Sequence, residues 1–348
     1  MQTTSSFGRA LLAFSLLCFT GLSGPAVAQG SGTLSSGGPT TGMTAVPTSV
    51  AHRPQQRHNP MRIATLRWYD VNQAGVSFDV GSFAYGIAFD GDHMWVTNTG
   101  DGTVSQLRAS DGQLIDTHPA GDSPAGIAYD GGNLWIVSVV AGDDVLLKLR
   151  ASDGQQLDAI PVGDHAAGIA FDGVRLWVTN GFAATMTVIN AADGSVVTTL
   201  PTGAGPSAPI FDGERVWIAN AFDHTIQAFR ASDQQLVGTY PVSNNPANLA
   251  FDGKHIWVAS FDDSVVERRL AKNGLFVDSI PVGLGAAGMT FDGESMWVSC
   301  YMDESVYKIS VRSGTPAGPF ASGPQPIGMA FDGSAVWVVN QTGTVTKR

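Results

Sequence analysis

Gly86 to Asn98 reads GIAFDGDHMWVTN, and the chain repeats this stretch seven times with small changes. Its Asp-Gly pair recurs at Asp90, Asp130, Asp172, Asp212, Asp252, Asp292 and Asp332, at intervals of 40, 42, 40, 40, 40 and 40 residues. A tryptophan stands five positions after each aspartate, at Trp95, Trp135, Trp177, Trp217, Trp257, Trp297 and Trp337, so that of the 8 tryptophans only Trp68 lies outside the pattern. A period of this length, with one supersecondary unit in each repeat, marks a repeat architecture.

Within the second unit, Gly126-Ile127-Ala128-Tyr129 is a short β-type run, Asp130-Gly131 is a turn signal, and Leu134 to Val137 is a second run. Val145 to Arg150 alternates as a third strand, Ser152-Asp153-Gly154 turns the chain again, and Leu157 to Val162 makes a fourth. Four short antiparallel strands in about 40 residues make one blade of a β-propeller. The expected fold is therefore all-β: a seven-bladed β-propeller of four-stranded antiparallel blades, with repeats starting near 86, 126, 168, 208, 248, 288 and 328. Stacking around an axis covers both faces of each sheet. That assigns the repeat tryptophans, and the aromatics before Asp-Gly from Phe89 to Phe331, to packing between blades. The Asp-Gly pairs read as hairpin turns, because Gly takes positive φ freely and Asp tolerates it.

Small residues precede the first-strand glycine at Ala125, Ala167, Ser207, Ala247 and Ala287, where seven strands crowd one axis; Tyr85 and Ile327 are the bulky exceptions. Ala208-Pro209 and Asn248 replace the usual Gly-Ile start in blades four and five, which reads either as a functional side of the channel or as drift. The last unit runs out after its third strand, Thr344-Val345-Thr346, whereas Val76 to Gly81 has the spacing to the next Gly-Ile-Ala that Ala159 to Gly163 has. An N-terminal strand should therefore complete the last blade and remove its open edge.

Residues 1–28 read as a secretory signal. Arg9 precedes an apolar run from Leu11 to Leu22, and Gly24 to Ala28 offers small residues for cleavage. The run is too short to span a bilayer, which takes about 20 apolar residues. Residues 29–61 are a low-complexity linker and 62–348 the propeller. Cleavage removes one base, so the formal charge becomes 18 − 30 = −12, and Cys300 is left as the single thiol. Such acidity speaks against nucleic acid and anionic lipid as partners. An exported monomer without a membrane span, in the periplasm, at the cell surface or outside the cell, is the expected setting.

The WVTN of Trp95 to Asn98 and of Trp177 to Asn180, with GIAFDG before it and IPVG at Ile160 to Gly163 and Ile280 to Gly283, resembles the YVTN-type (NHL/YVTN-like) β-propeller repeats of exported bacterial and archaeal proteins. The resemblance covers Val76 to the C-terminus and implies the propeller fold. It does not imply one function, because the type includes surface proteins, binding proteins and enzymes. Streptogramin lyases, which are similar, use a histidine and acid cluster with a divalent metal; no matching His-rich motif is present, so no catalytic residue is carried over. A DNA-binding YVTN propeller is similar in repeat form, but the basic surface for that role is missing. C-x-x-C-H, H-E-x-x-H, G-x-S-x-G, P-loop and EF-hand patterns are also missing.

In this strand order the fourth-to-first and second-to-third connections open on one face. Asp101, Asp143, Asp144, Asp223, His224, Asp262, Asp263, Asp303 and Glu304 fall on the second-to-third set, with Asp122, Asp164 and His165 on the other. One reading is a solvated acidic rim. Another is a site for a cation or a basic partner built from Asp223, His224, Asp262, Asp263, Asp303 and Glu304. The expected function is an exported non-catalytic scaffold that binds a partner protein, a small ligand or a cation on this face. No resident cofactor is expected beyond a divalent cation. The alternative is a metal-assisted lyase or hydrolase of the streptogramin-lyase type in the central funnel, which needs a histidine and two carboxylates converging on one point.

Overall fold

The computed structural model describes residues 75–139 and 144–348. The signal segment, the linker, the run Ile63 to Tyr69 with Trp68, and Asp143 lie outside the described residues. Among the described residues there are twenty-eight β-strands and no helix, arranged as seven separate four-stranded sheets. In six sheets the strands follow chain order, as in Pro124–Tyr129, Asn133–Ser138, Val145–Arg150 and Gln156–Pro161. First strands touch first strands of the next blade around the whole ring, with Pro326–Phe331 against Ala84–Phe89 at the junction. Among the described residues no strand pairing joins one blade to another, so side-chain packing and side-chain hydrogen bonds hold the ring together.

The second strand of a blade, such as His93–Asn98, is buried along almost its whole length because a neighbouring blade covers each face. The fourth strand, such as Leu114–Pro119, is largely exposed. Between blades lie seven apolar clusters, one at each interface. Trp217, Ile226 and Ala228 of blade four meet Leu249, Ile256 and Val258 of blade five, and Trp337 and Val345 of blade seven meet Met94, Val96 and Leu107 of blade one.

Asp-Gly does more than turn the chain. The glycine alone takes positive φ, 111° at Gly91, while the aspartate earns its place through its carboxylate. Asp90 Oδ1 accepts the backbone N–H of Asp92 at 2.8 Å and of His93 at 2.7 Å, and Oδ2 accepts the Trp95 indole N–H at 2.7 Å. The indole bond recurs in every blade, at 2.7 to 2.8 Å. Five-residue spacing thus couples the turn to the buried tryptophan and pairs the indole N–H of all seven repeat tryptophans.

At the axis, a Cβ added at Gly288 would lie 1.7 Å from the Ile327 carbonyl oxygen of the next blade. Close approach of neighbouring backbones is the reason for glycine there. Thr97 Oγ1 accepts the Gly86 N–H and donates to the Ala125 carbonyl, both at 2.8 Å, tying blade one to blade two.

Val76–Asp79 completes blade seven beside Thr344–Lys347, in the register Val76 with Lys347 through Asp79 with Thr344. Phe78 packs on Trp337 with ring centroids 5.8 Å apart, and Val80 N donates to the Gly343 carbonyl at 2.9 Å.

Candidate functional site

The loop face is built from two connections per blade, laced together in the same way around the ring. The residue before each first strand (Phe83, Ser123, His165, Gly205, Asn245, Gly285 and Gln325) forms a crest. Its carbonyl accepts the N–H of the first residue of the second-to-third loop, as from Ala221 to Gly205 at 3.0 Å and from Tyr301 to Gly285 at 2.9 Å. The loop's third residue is commonly aspartate. Asp101 Oδ2 accepts the Ser82 N–H at 2.6 Å, Asp223 Oδ2 that of Ala204 at 2.7 Å, Asp263 Oδ2 that of Asn244 at 2.8 Å, and Asp303 Oδ2 that of Leu284 at 2.6 Å. The fourth loop residue is left-handed, with φ of 50° at Ala184, 54° at His224, 55° at Ser264 and 50° at Glu304. Its carbonyl meets the start of the other connection, as His224 O does with Val242 N at 2.9 Å. Two backbone ties recur in every blade and the aspartate tie adds a third in blades one, four, five and six, which fixes these loops before anything binds.

This geometry sorts the six residues singled out from the sequence. Asp223, Asp263 and Asp303 are structural buckles, each inside its own blade. His224 bridges two blades: its Nδ1 accepts the Asn245 N–H of blade five at 3.1 Å, which puts the proton of the neutral ring on Nε2. Asp262 joins the same point, accepting from Asn245 Nδ2 at 3.2 Å. Glu304 is exposed at its left-handed position. The structure therefore brings His224 and Asp262 together around Asn245, a residue that sequence reasoning missed. Of the five carboxylates among the six, Asp223, Asp262, Asp263 and Asp303 accept N–H donors of their own blade. Among the described residues, no group of three or more His, Cys, Asp or Glu could hold a metal ion.

His165 is buried at its crest and stacks on Phe182, with centroids 4.0 Å apart. Burial pushes its pKa below the usual histidine value, against the pull of Asp144 and Asp164. Asp144, itself buried, accepts the Ala166 N–H at 2.7 Å.

The acidity of this face was read from the sequence; its lack of bases and its exposed apolar side chains were not. Asp101, Asp122, Asp144, Asp164, Asp223, Asp262, Asp263, Asp303 and Glu304 lie on its connections, and among the described residues no Lys or Arg does. The bases sit on strands or on turns at the opposite end, and several are engaged there: Arg108 with Asp111, Arg150 with Asp153, Arg230 with Asp233, and Lys308 over the Trp297 ring. Among the carboxylates stand exposed apolar side chains: Phe83 at 43%, Phe182 at 56%, Phe222 at 49%, Leu284 at 58% and Met302 at 52%. Crest and second loop residue share space within a blade, so one is large where the other is glycine. A Cβ on Gly205 would lie 2.9 Å from the Phe222 ring, and one on Gly100 would lie 2.7 Å from the Phe83 ring.

A seven-bladed propeller is a shared fold here. Hydrazine synthase of Kuenenia stuttgartiensis matches with a TM-score of 0.67 and 17% identity, over 78% of this chain and 97% of that one. At that identity the likeness shows the fold alone. No family model and no curated protein matches the chain. On the opposite face, where blades one and seven meet, a recess of about 490 Å³ is lined by His93, Arg108, Asp92 and Asp332. Of its charged groups, His93 Nδ1 is engaged with Asp90 at 3.3 Å and Arg108 with Asp111 at 2.9 Å.

Proposed function

We propose that the chain is an exported, non-catalytic scaffold of the YVTN repeat type that holds a partner on its loop face. The observation that carries this reading is the set of exposed Phe83, Phe182, Phe222, Leu284 and Met302 side chains on a surface laced rigid by backbone hydrogen bonds. Leu284 and Met302 are joined by the bond from Met302 N–H to the Leu284 carbonyl at 3.1 Å, and Phe83, Phe182 and Phe222 stand on other connections of the same face, where large apolar groups offer a contact surface. The buckle role of Asp223, Asp263 and Asp303 supports a contact surface over chemistry, since these carboxylates already serve as acceptors. The metal-dependent alternative needs a histidine and two carboxylates at one point, and the described residues offer no such group.

A photo-crosslinking residue at Phe222, compared with one at the still more open Val174 on the opposite face, tests the reading in the native source. A discrete product from position 222 and none from 174 is expected. Equal labelling at both positions, or none at either, would sink it.

A further inference from the structure

We infer that the occupant of this face is a basic, amphipathic polypeptide segment, one that presents large apolar side chains flanked by Lys or Arg. This inference rests on the reading of the loop face as a binding surface and adds the chemistry of the partner. Three observations lead to it.

The first is charge. Nine carboxylates lie on the connections of this face and no Lys or Arg does, whereas every Lys and Arg of the described residues lies on strands or opposite turns. A surface with one sign of charge repels nucleic acid and anionic lipid and speeds encounter with cations. Within the set, the buckles are already satisfied, but Asp122, Asp164 and Glu304 are exposed and are no part of the Asp-to-backbone ties. Those three, with the exposed Asp262, whose Oδ1 accepts from Asn245, are open to a partner's ammonium or guanidinium.

The second is the apolar part. Phe182 and Phe222 occupy the second loop position of adjacent blades, Leu284 and Met302 belong to blade six, and Phe83 is the crest of blade one. Charge alone would not require them, and aromatic anchors exposed at fixed positions are what interface hot spots are made of.

The third is extent. The apolar groups are distributed over four blades with the free carboxylates among them, so a lone inorganic cation would meet one blade and leave the others uncovered. An extended chain, with about 3.3 Å per residue, can pass from one blade to the next while alternating anchors and charges. The rigid lacing of the face means that only the partner has to become ordered.

The experiment uses the full chain and short synthetic peptides with fluorescence anisotropy as readout: one of alternating Lys and Leu/Phe, one with Glu in place of Lys, and one of Lys with Gly and Ser only. The Lys–Leu/Phe peptide is expected to bind at least about tenfold more tightly than either of the others. Phe182→Ser with Phe222→Ser should remove most of that advantage. Asp122→Asn, Asp164→Asn and Glu304→Gln together leave the buckles untouched and should flatten the salt dependence of binding. Equal binding of the Lys–Gly–Ser peptide overturns the amphipathic requirement. Equal binding of the Glu peptide, or indifference to both sets of variants, overturns the inference altogether. If no peptide binds while the crosslink at position 222 still yields a discrete product, the partner chemistry proposed here is wrong and the binding face stands.

Discussion

Each repeat aspartate is an acceptor before it is a turn residue. Asp292 accepts the Trp297 indole N–H at 2.7 Å and two backbone N–H groups at 2.8 and 2.6 Å. Asp292→Ala would strand these donors at a partly buried site, and each unsatisfied group costs about 1 to 3 kcal/mol. Trp217→Ala empties a fully buried site between blades four and five and should cost about 3 to 5 kcal/mol in urea unfolding. Lost crosslinking at the loop face with unchanged unfolding would instead make Trp217 a contact residue. Acid unfolding follows from the same carboxylates. Burial alone would raise the pKa of Asp90, Asp130, Asp252, Asp292 and Asp332, but the indole and backbone donors outweigh it and hold all five below 3.8. Their contribution is whole above the unfolded value of about 3.9 and is lost as pH falls through the folded values. His165 acts earlier. Its folded pKa is lowered by burial, so the unfolded chain takes up the proton first and stability declines once pH drops below about 6.5. The unfolding midpoint should therefore fall gently below about pH 6.5 and steeply below about pH 4. His165→Phe should remove the first phase only, and a midpoint flat from neutral pH to about pH 3 would contradict both assignments.

At the scale of the element, blade five departs from the pattern of the others. Arg269 sits on the third strand where other blades place Leu107, Leu149, Ile189, Phe229 and Ile309, and it is buried beside Glu267 at 3.0 Å. Glu267 has a second task. In blades one and three the N–H at the start of the fourth-to-first connection is accepted by an asparagine at the end of the second strand, Asn98 from Gly81 at 3.0 Å and Asn180 from Gly163 at 3.1 Å. Blade five has Ser260 there, and Glu267 accepts the Ser243 N–H at 2.6 Å instead. Removing one partner of a buried pair leaves the other charge uncompensated, so Arg269→Ala should cost about 3 to 5 kcal/mol. Glu267→Gln with Arg269→Leu follows blade four, where Gln227 accepts the Gly203 N–H at 3.1 Å, and should be neutral or stabilising. An Arg269→Ala variant as stable as the parent would show that the pair has no energetic role. The first strands supply a further test. Gly288→Ala drives a methyl group into the Ile327 carbonyl and should destabilise by about 1 to 3 kcal/mol, measured by the same unfolding.

The ring depends on its ends at the scale of the whole molecule. Deleting residues 75–81 removes the outer strand of blade seven, exposes the edge of Thr344–Lys347 and takes Phe78 off Trp337. The melting temperature should fall by several degrees, since even about 1 kcal/mol lost shifts a domain of this size by about 2 °C. Deleting residues 29–60 should leave it unchanged, and equal melting points for the two truncations would contradict closure by the N-terminal strand. Cys300 reports on the same intact ring. Burial pushes its thiol up to about 12, so alkylation should proceed only on unfolding.

Blade number, strand positions and ring closure were legible in the sequence. The period, the Asp-Gly turns and the missing last strand are local patterns, and local patterns repeated seven times leave one architecture. The chemistry of the loop face was not legible to the same degree. Asp223 and its counterparts look like free charges in sequence, because the N–H they hold is 19 residues away on another connection. Nor does sequence say which loop aromatics are open. Phe261 and Phe222 fall on equivalent loops, yet Phe261 is 4% exposed as the first loop residue and Phe222 is 49% exposed as the second. Turn geometry and the neighbouring crest decide between burial and exposure. Composition and period thus determined the scaffold, while the tertiary structure decided which side chains hold it together and which stand exposed, because that distinction depends on contacts between segments distant in the chain.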